Sequence, residues 1–178
     1  GTGAVTAVGC GALPVQRVSL EEGARLLRKA YDSGINFFDT ARGYTDSEEK
    51  IGRGLADVRS KLFIATKSGA SDKATVLQHI ETSLRNMKTD YVDILQLHNP
   101  KELPDPNDPN SSPAALAEAR EQGKARFIGI SNHRLATARE AAESGLYDTI
   151  QFPLSAISTA GEFKFVEECA ARDIGFIA

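Results

Sequence analysis

Short apolar runs rich in β-branched and aromatic residues alternate with stretches of helical periodicity along almost the whole chain. That alternation predicts βα units arranged around a parallel sheet. Strands are expected near 4–9, 35–40, 61–67, 92–98, 125–131, 148–152 and 174–178. The first long helix starts at Ser19, where Glu22 completes the spacing of a capping box. Leu20, Ala24, Leu27 and Tyr31 form its apolar face, and Ser33-Gly34 is a helix-end signal. Ser47 to Ala56 carries Ile51 and Leu55 one turn apart. Helix 74–88 places Ile80, Leu84 and Met87 on one side and ends in Arg85 and Lys88, whose charge suits a helix C-terminus. A helix over 113–122 opens at Ser112-Pro113 and closes at Gly123, and two more are expected at 135–143 and 162–172.

Strand ends fall at Asp39, Lys67, His98, Ser131, Gln151 and Ala178, a recurrence that suits a (β/α)8 TIM barrel. A doubly wound sheet is the rival, which periodicity alone does not separate from it. Seven strands and six helices leave the barrel one βα unit short, and a complete barrel usually needs about 250 residues. Residues 1–178 are therefore expected to form one C-terminally incomplete (β/α) barrel domain and to be a portion of a longer protein.

One segment breaks the rhythm. Asn99 to Pro113 holds Pro100, Pro104, Pro106, Pro109 and Pro113, five of the seven prolines, and predicts a long, stiff loop after the fourth strand. Its Asp105–Asn110 run has the look of a calcium loop but lacks the sixth-position glycine and the closing glutamate.

Composition narrows the class. The 178 residues carry 21 Lys+Arg against 24 Asp+Glu, with 41% hydrophobic and 25% charged residues, as in a soluble globular domain. Basic and acidic residues are interspersed, which offers no footprint for nucleic acid or an anionic membrane. No apolar run approaches the ~18 residues of a membrane span, and Gly1-Thr2-Gly3 has no signal-peptide layout. Cys10 and Cys169 lie far apart and fit no metal spacing, so reduced thiols and a cytoplasmic setting are expected. The glycine runs Gly1-Thr2-Gly3 and Gly9-Cys10-Gly11 do not complete a dinucleotide fingerprint.

The strand ends also carry the candidate chemistry: Asp39, Lys67, His98 with Asn99, Ser131 with Asn132, and Gln151. In a parallel barrel these ends open on one face, where active sites sit. Tyr44 lies five residues past Asp39, in a loop leading to the helix at Ser47. A phenol titrates near 10, too high for efficient proton transfer at neutral pH, and an adjacent ammonium is expected to lower it. Lys67 can supply that charge, Asp39 can hold Lys67 in place, and His98 can donate a hydrogen bond to an oxygen gaining negative charge. The set suits protonation of a carbonyl oxygen during reduction, and it contains no nucleophile–base pair and no metal ligands. His133, after Asn132 at a strand end, reads first as a surface residue and second as a substrate contact, and His79 reads as a solvated or packed surface residue.

These residues carry a family resemblance. Gly34-Ile35-Asn36-Phe37-Phe38-Asp39-Thr40-Ala41, followed by Gly43-Tyr44 and Ser47-Glu48, resembles the aldo-keto reductase signature. Phe63-Ile64-Ala65-Thr66-Lys67-Ser68 resembles the family's lysine strand, Tyr91-Val92-Asp93-Ile94-Leu95-Gln96-Leu97-His98 its histidine strand, and Arg126-Phe127-Ile128-Gly129-Ile130-Ser131-Asn132 its cofactor strand. The resemblance implies a (β/α)8 barrel that reduces aldehydes or ketones with a nicotinamide cofactor, NADPH in most members and NADH as the alternative. It implies Tyr44 as proton donor, Lys67 and Asp39 as its tuning pair, and His98 as carbonyl orienter. Ser131, Asn132 and Gln151 would hold the nicotinamide carboxamide. Tyr44 to Gly52 and Gln151-Phe152-Pro153-Leu154 are similar to a branch whose members often carry a ferredoxin-like cysteine cluster. No such cluster is present here, so an iron–sulfur cofactor is not supported. The family binds the cofactor's phosphates through loops after strands seven and eight, and this chain reaches only strand seven. Two rival readings follow: a non-catalytic binding or redox-sensing subunit, and an inactive truncated chain.

Overall fold

The computed structural model describes residues 4–178, and the Gly1-Thr2-Gly3 run lies outside the described residues. Seven strands form one sheet: β1 (Cys10–Gly11), β2 (Phe37–Asp39), β3 (Phe63–Ser68), β4 (Val92–His98), β5 (Ala125–Ser131), β6 (Thr149–Gln151) and β7 (Gly175–Ile177). All neighbours pair in parallel and in chain order, β1 through β7. A doubly wound sheet would reverse its strand order midway, so the rival topology is excluded. Six helices connect or cover the strands: α1 (Leu20–Asp32), α2 (Ser47–Leu55), α3 (Lys73–Met87), α4 (Ser112–Glu121), α5 (Leu135–Glu143) and α6 (Ala160–Ala170). The result is a curled sheet with its helices, one strand short of a closed (β/α)8 barrel. No helix among the described residues is long and apolar enough to cross a membrane.

Successive side chains on a strand point to opposite faces, and that alternation sorts the sequence. Phe38, Ile64, Leu95, Leu97, Ile130 and Ile150 are buried with helix residues such as Leu27, Ile51, Ile80, Leu116 and Phe165 in a continuous core. The opposite set faces the lumen. In register, Phe37 pairs with Phe63 and Ile94 with Phe127 near the strand starts, while His98, Ser131 and Gln151 align near the ends. The lumen is thus apolar at its base and polar at its mouth. A cavity of about 580 Å³ lies between the β1 and β7 edges and the lumen, bordered by Cys10, Phe37, Phe63, Ile94, Gln151 and Phe176.

On the helix-facing side of β4, the buried Asp93 accepts from Arg59 Nη2 and Arg126 Nη1, both at 2.8 Å, and from the Ile64 amide at 2.9 Å. A buried carboxylate demands such partners, and these cross-link β3, β4 and β5 near their starts.

Several element ends differ from expectation. The first strand is Cys10–Gly11, not 4–9. The Asn36 side chain intercepts the backbone there, accepting from Thr6 N at 2.8 Å and donating to Ala4 O at 2.8 Å, which substitutes for ladder bonds. At α1 only half of the capping box forms. Ser19 Oγ accepts from Glu22 N at 3.2 Å, but the Glu22 carboxylate is taken by Arg25. The complete box occurs at α6, where Thr159 and Glu162 cap each other, so that helix starts at Ala160. α1 ends as expected, with Gly34 at φ +100°, a conformation open to glycine at little cost. Pro14–Arg17 and Ala56–Lys61 form short 3₁₀ turns that periodicity does not reveal.

Candidate active site

β2 and β3 bring the first two candidates together. Lys67 is 2% exposed, and its Nζ donates to Asp39 Oδ2 at 2.6 Å and to the Thr40 carbonyl at 2.8 Å. Lys67 Nζ also lies 5.3 Å from the centroid of the Tyr44 ring, and that ring contacts the His98 imidazole at the end of β4.

Tyr44 sits on a loop, yet the loop is fastened from below. Arg42 N donates to Lys67 O at 2.9 Å, and Ser47 N donates to Tyr44 O at 2.9 Å. Ser47 Oγ donates to Ala12 O at 3.0 Å and lies 2.9 Å from Thr40 Oγ1. The buried Glu48 carboxylate pairs with Arg42 and accepts from Thr66 Oγ1 at 2.8 Å and Asn86 Nδ2 at 3.4 Å. Two residues further, the fully buried Lys50 donates to Val15 O and Val18 O, both at 2.9 Å, and to Asp46 Oδ1 at 2.6 Å. Sequence reasoning missed Lys50, although a lysine on the same helix face as Ser47 was a signal. A charged residue on a buried helix face must be paired.

The electrostatics revise one expectation. The Tyr44 hydroxyl is pushed above the ordinary phenol range, by burial first and by the Asp39 charge second. The nearby Lys67 ammonium, paired with Asp39 at contact distance, does not outweigh these two effects, so the net direction is upward. Lys67 itself is pushed down by burial, against the opposing pull of Asp39. His98 is also lowered, by burial and then by Lys67, with Asp39 opposing and His133 adding a small push in the same direction. The imidazole is therefore neutral at pH 7, with one N–H to donate.

The candidates at the next two strand ends differ in their partners. Ser131 Oγ donates to Leu97 O at 3.3 Å and accepts from Asn99 N at 3.2 Å, which leaves one lone pair. Gln151 is half-buried at the lumen mouth, and its Nε2 donates to Asp39 Oδ2 at 3.4 Å. Asn132, just past the end of β5, is 0% exposed. Its Nδ2 donates to Pro100 O at 2.9 Å and its Oδ1 accepts from Arg134 N at 2.9 Å. His133 is exposed, and its backbone N–H donates to Asn99 Oδ1 at 3.3 Å. His79 is packed, with Nδ1 2.8 Å from Ser68 Oγ. Cys10 and Cys169 are free thiols, and no group of His, Cys, Asp or Glu among the described residues could hold a metal.

A nicotinamide ring suits this rim. Ser131 and Gln151 each keep a hydrogen-bonding position, and Asp39 Oδ1 is buried with no protein partner among the described residues.

Parallel strands in chain order, with polar side chains gathered at their C-terminal ends, define a protein of the (β/α)-barrel class. The chain belongs to the aldo/keto reductase family, whose model matches residues 5–178. It is 35% identical over 142 residues to L-galactose dehydrogenase of Arabidopsis thaliana, covering 71% of this chain and 44% of that protein. It is 34% identical over 144 residues to methylglyoxal reductase DkgA of Yersinia pestis, covering 78% and 50%. Among solved structures, an aldo/keto reductase from Klebsiella pneumoniae in complex with NADP and acetate superposes with a TM-score of 0.81 at 25% identity. That match covers 98% of this chain and 64% of the other. The chain spans about half the length of the curated relatives it matches.

Proposed function

We propose that the protein reduces an aldehyde or ketone using a nicotinamide cofactor, NADPH, with Tyr44 as the proton donor. The observation that carries this reading is the Asp39–Lys67 pair at 2.6 Å, packed against a tyrosine whose ring also contacts a neutral histidine. The Klebsiella neighbour's complex with NADP supports the choice of cofactor, and the reductase names of relatives support the reaction class.

The reduced nicotinamide, when bound, supplies the hydride. Tyr44 stays protonated at neutral pH and passes its phenolic proton to the carbonyl oxygen as negative charge builds there. Lys67, held by Asp39, stabilises the resulting phenolate at close range. His98 donates its N–H to the same substrate oxygen and orients it. Ser131 and Gln151 hold the carboxamide directly. Asn132 is proposed to hold it with them, and its Nδ2 also anchors the start of the 99–111 loop through Pro100. The reading includes a cytoplasmic setting, where thiols such as Cys10 and Cys169 stay reduced.

The test is NADPH oxidation by the purified chain across a panel of aldehydes and ketones. Turnover that depends on Tyr44 is expected, and turnover indifferent to Tyr44→Phe would sink the assignment.

A further inference from the structure

Beneath the mouth runs a second polar connection, one that the proposed reaction does not use directly. Gln96 lies on β4 two residues before His98, on the same lumen face, and is 0% exposed. A buried amide is costly unless hydrogen-bonded, so its partners are informative. Gln96 Nε2 donates to Gln151 Oε1 at 3.2 Å. Gln151 Nε2 in turn donates to Asp39 Oδ2, the oxygen that accepts from Lys67. β5 stands between β4 and β6, and its residue in register with both Gln96 and Thr149 is Gly129. A Cβ there would sit 3.3 Å from Gln96 Cγ and 2.8 Å from Thr149 O. With no side chain at Gly129, the glutamine can reach across a strand to Gln151.

We propose that Gln96 is a positioning residue for the nicotinamide-binding amide of Gln151, fixing which end of that amide faces Asp39 and the rim. The inference rests on the reading above, in which Gln151 contacts the cofactor. A terminal amide can turn by half a revolution with almost no change of shape. With Gln96 Nε2 in place, that turn would set two NH₂ groups against each other and aim Gln151 Oε1 at the Asp39 carboxylate. Gln96 Oε1 itself has no hydrogen-bond partner among the described residues, so it is Asp39 and Gln96 Nε2 acting together that favour one orientation. In it, Gln151 Nε2 bonds Asp39 with one N–H and keeps the other as a donor for the carboxamide oxygen.

The first measurement uses the purified chain without cofactor. Side-chain amide NMR with ¹⁵N labelling identifies the Gln151 NH₂ pair by its loss in Gln151→Leu. A dispersed, slowly exchanging pair is expected, and it should collapse towards free-amide positions with faster exchange in Gln96→Leu. Gln96→Glu presents an acceptor to Gln151 Oε1 and should force the amide to turn, moving the pair to a new position. This second variant answers the question even if the leucine variant does not fold. A Gln151 pair unmoved by a folded variant would overturn the proposal.

The second measurement compares NADPH with adenosine 2′,5′-bisphosphate, which lacks the nicotinamide. Loss of one oriented neutral hydrogen bond should weaken NADPH by about five- to tenfold in Gln96→Leu or Gln96→Glu, with no change for the bisphosphate. Equal weakening of both ligands would also overturn it. Failure of the wild-type chain to bind NADPH, with the Gln151 signature intact, would instead count against the reductase reading and leave the Gln96–Gln151 contact standing.

Discussion

The Tyr44 ring meets the His98 imidazole edge-on, with centroids 5.5 Å apart and planes inclined at 80°. The ring is therefore placed by packing and by the backbone bonds of its loop, and its hydroxyl is free for chemistry. Tyr44→Phe keeps the ring contact and removes only the proton. Carbonyl reduction should fall by about 10²–10⁴-fold, the usual range for a lost general acid, while NADPH affinity barely changes. Steady-state rates beside a fluorescence titration check both halves.

Lys67→Met should act differently. With the ammonium gone, the Asp39 charge faces Tyr44 without compensation, and that charge already pushes the phenol upward. The Tyr44 hydroxyl should titrate at still higher pH, and the rate should fall because the phenolate loses its nearest cation. Phenolate absorbance, read as a difference against Tyr44→Phe, measures the first effect. An unshifted titration would show that the lysine does not couple to the phenol.

His98 contributes to acid sensitivity. Its folded pKa lies below the ordinary value of 6.5, so between that lowered value and 6.5 the unfolded chain binds more protons than the folded one. Stability from this group is present above pH 6.5 and is lost as pH falls through the folded pKa. The groups around it act as stated: Lys67 and His133 lower the pKa, and Asp39 opposes. Urea unfolding at pH 7.5 and pH 5 should show a smaller acid loss in His98→Asn than in the parent chain.

Lys50 makes a stability prediction independent of catalysis. Lys50→Met preserves the buried stem but removes the ammonium's bonds to Val15 O, Val18 O and Asp46 Oδ1, leaving Val15 O only its bond from Val18 N. The loss should be roughly 1.5–3 kcal/mol, typical of hydrogen bonds to a charged group. Hydrogen exchange should accelerate at residues 12–19 before it does elsewhere. A variant as stable as the parent, with that loop still protected, would contradict this role of Lys50.

Periodicity and strand-end chemistry made the barrel and the Asp39, Tyr44, Lys67 and His98 cluster legible in advance, because each strand end is set by its own local pattern. What escaped depended on contacts distant in sequence. The 4–9 strand was lost to an asparagine 30 residues away, a competitor that no local window contains. The raised pKa of Tyr44 comes first from its burial and second from the Asp39 charge, neither of which spacing encodes. Asn132 reads as a rim residue because it follows Ser131, but it lies just past the end of β5, where strand alternation no longer fixes its direction. Its side chain serves the loop at Pro100.

That alternation of faces limits how relatives of this chain can change length. Deleting one residue between Phe63 and Lys67 would turn the ammonium out of the lumen and into the helix-packed core, and would leave a neighbour such as Thr66 or Ser68 beside Asp39. A two-residue change keeps the faces but moves Lys67 out of register with Gln96. Insertions and deletions should therefore be purged from the strands and collect in segments such as 99–111, so the spacing inside each strand will outlast the identity of most residues that fill it.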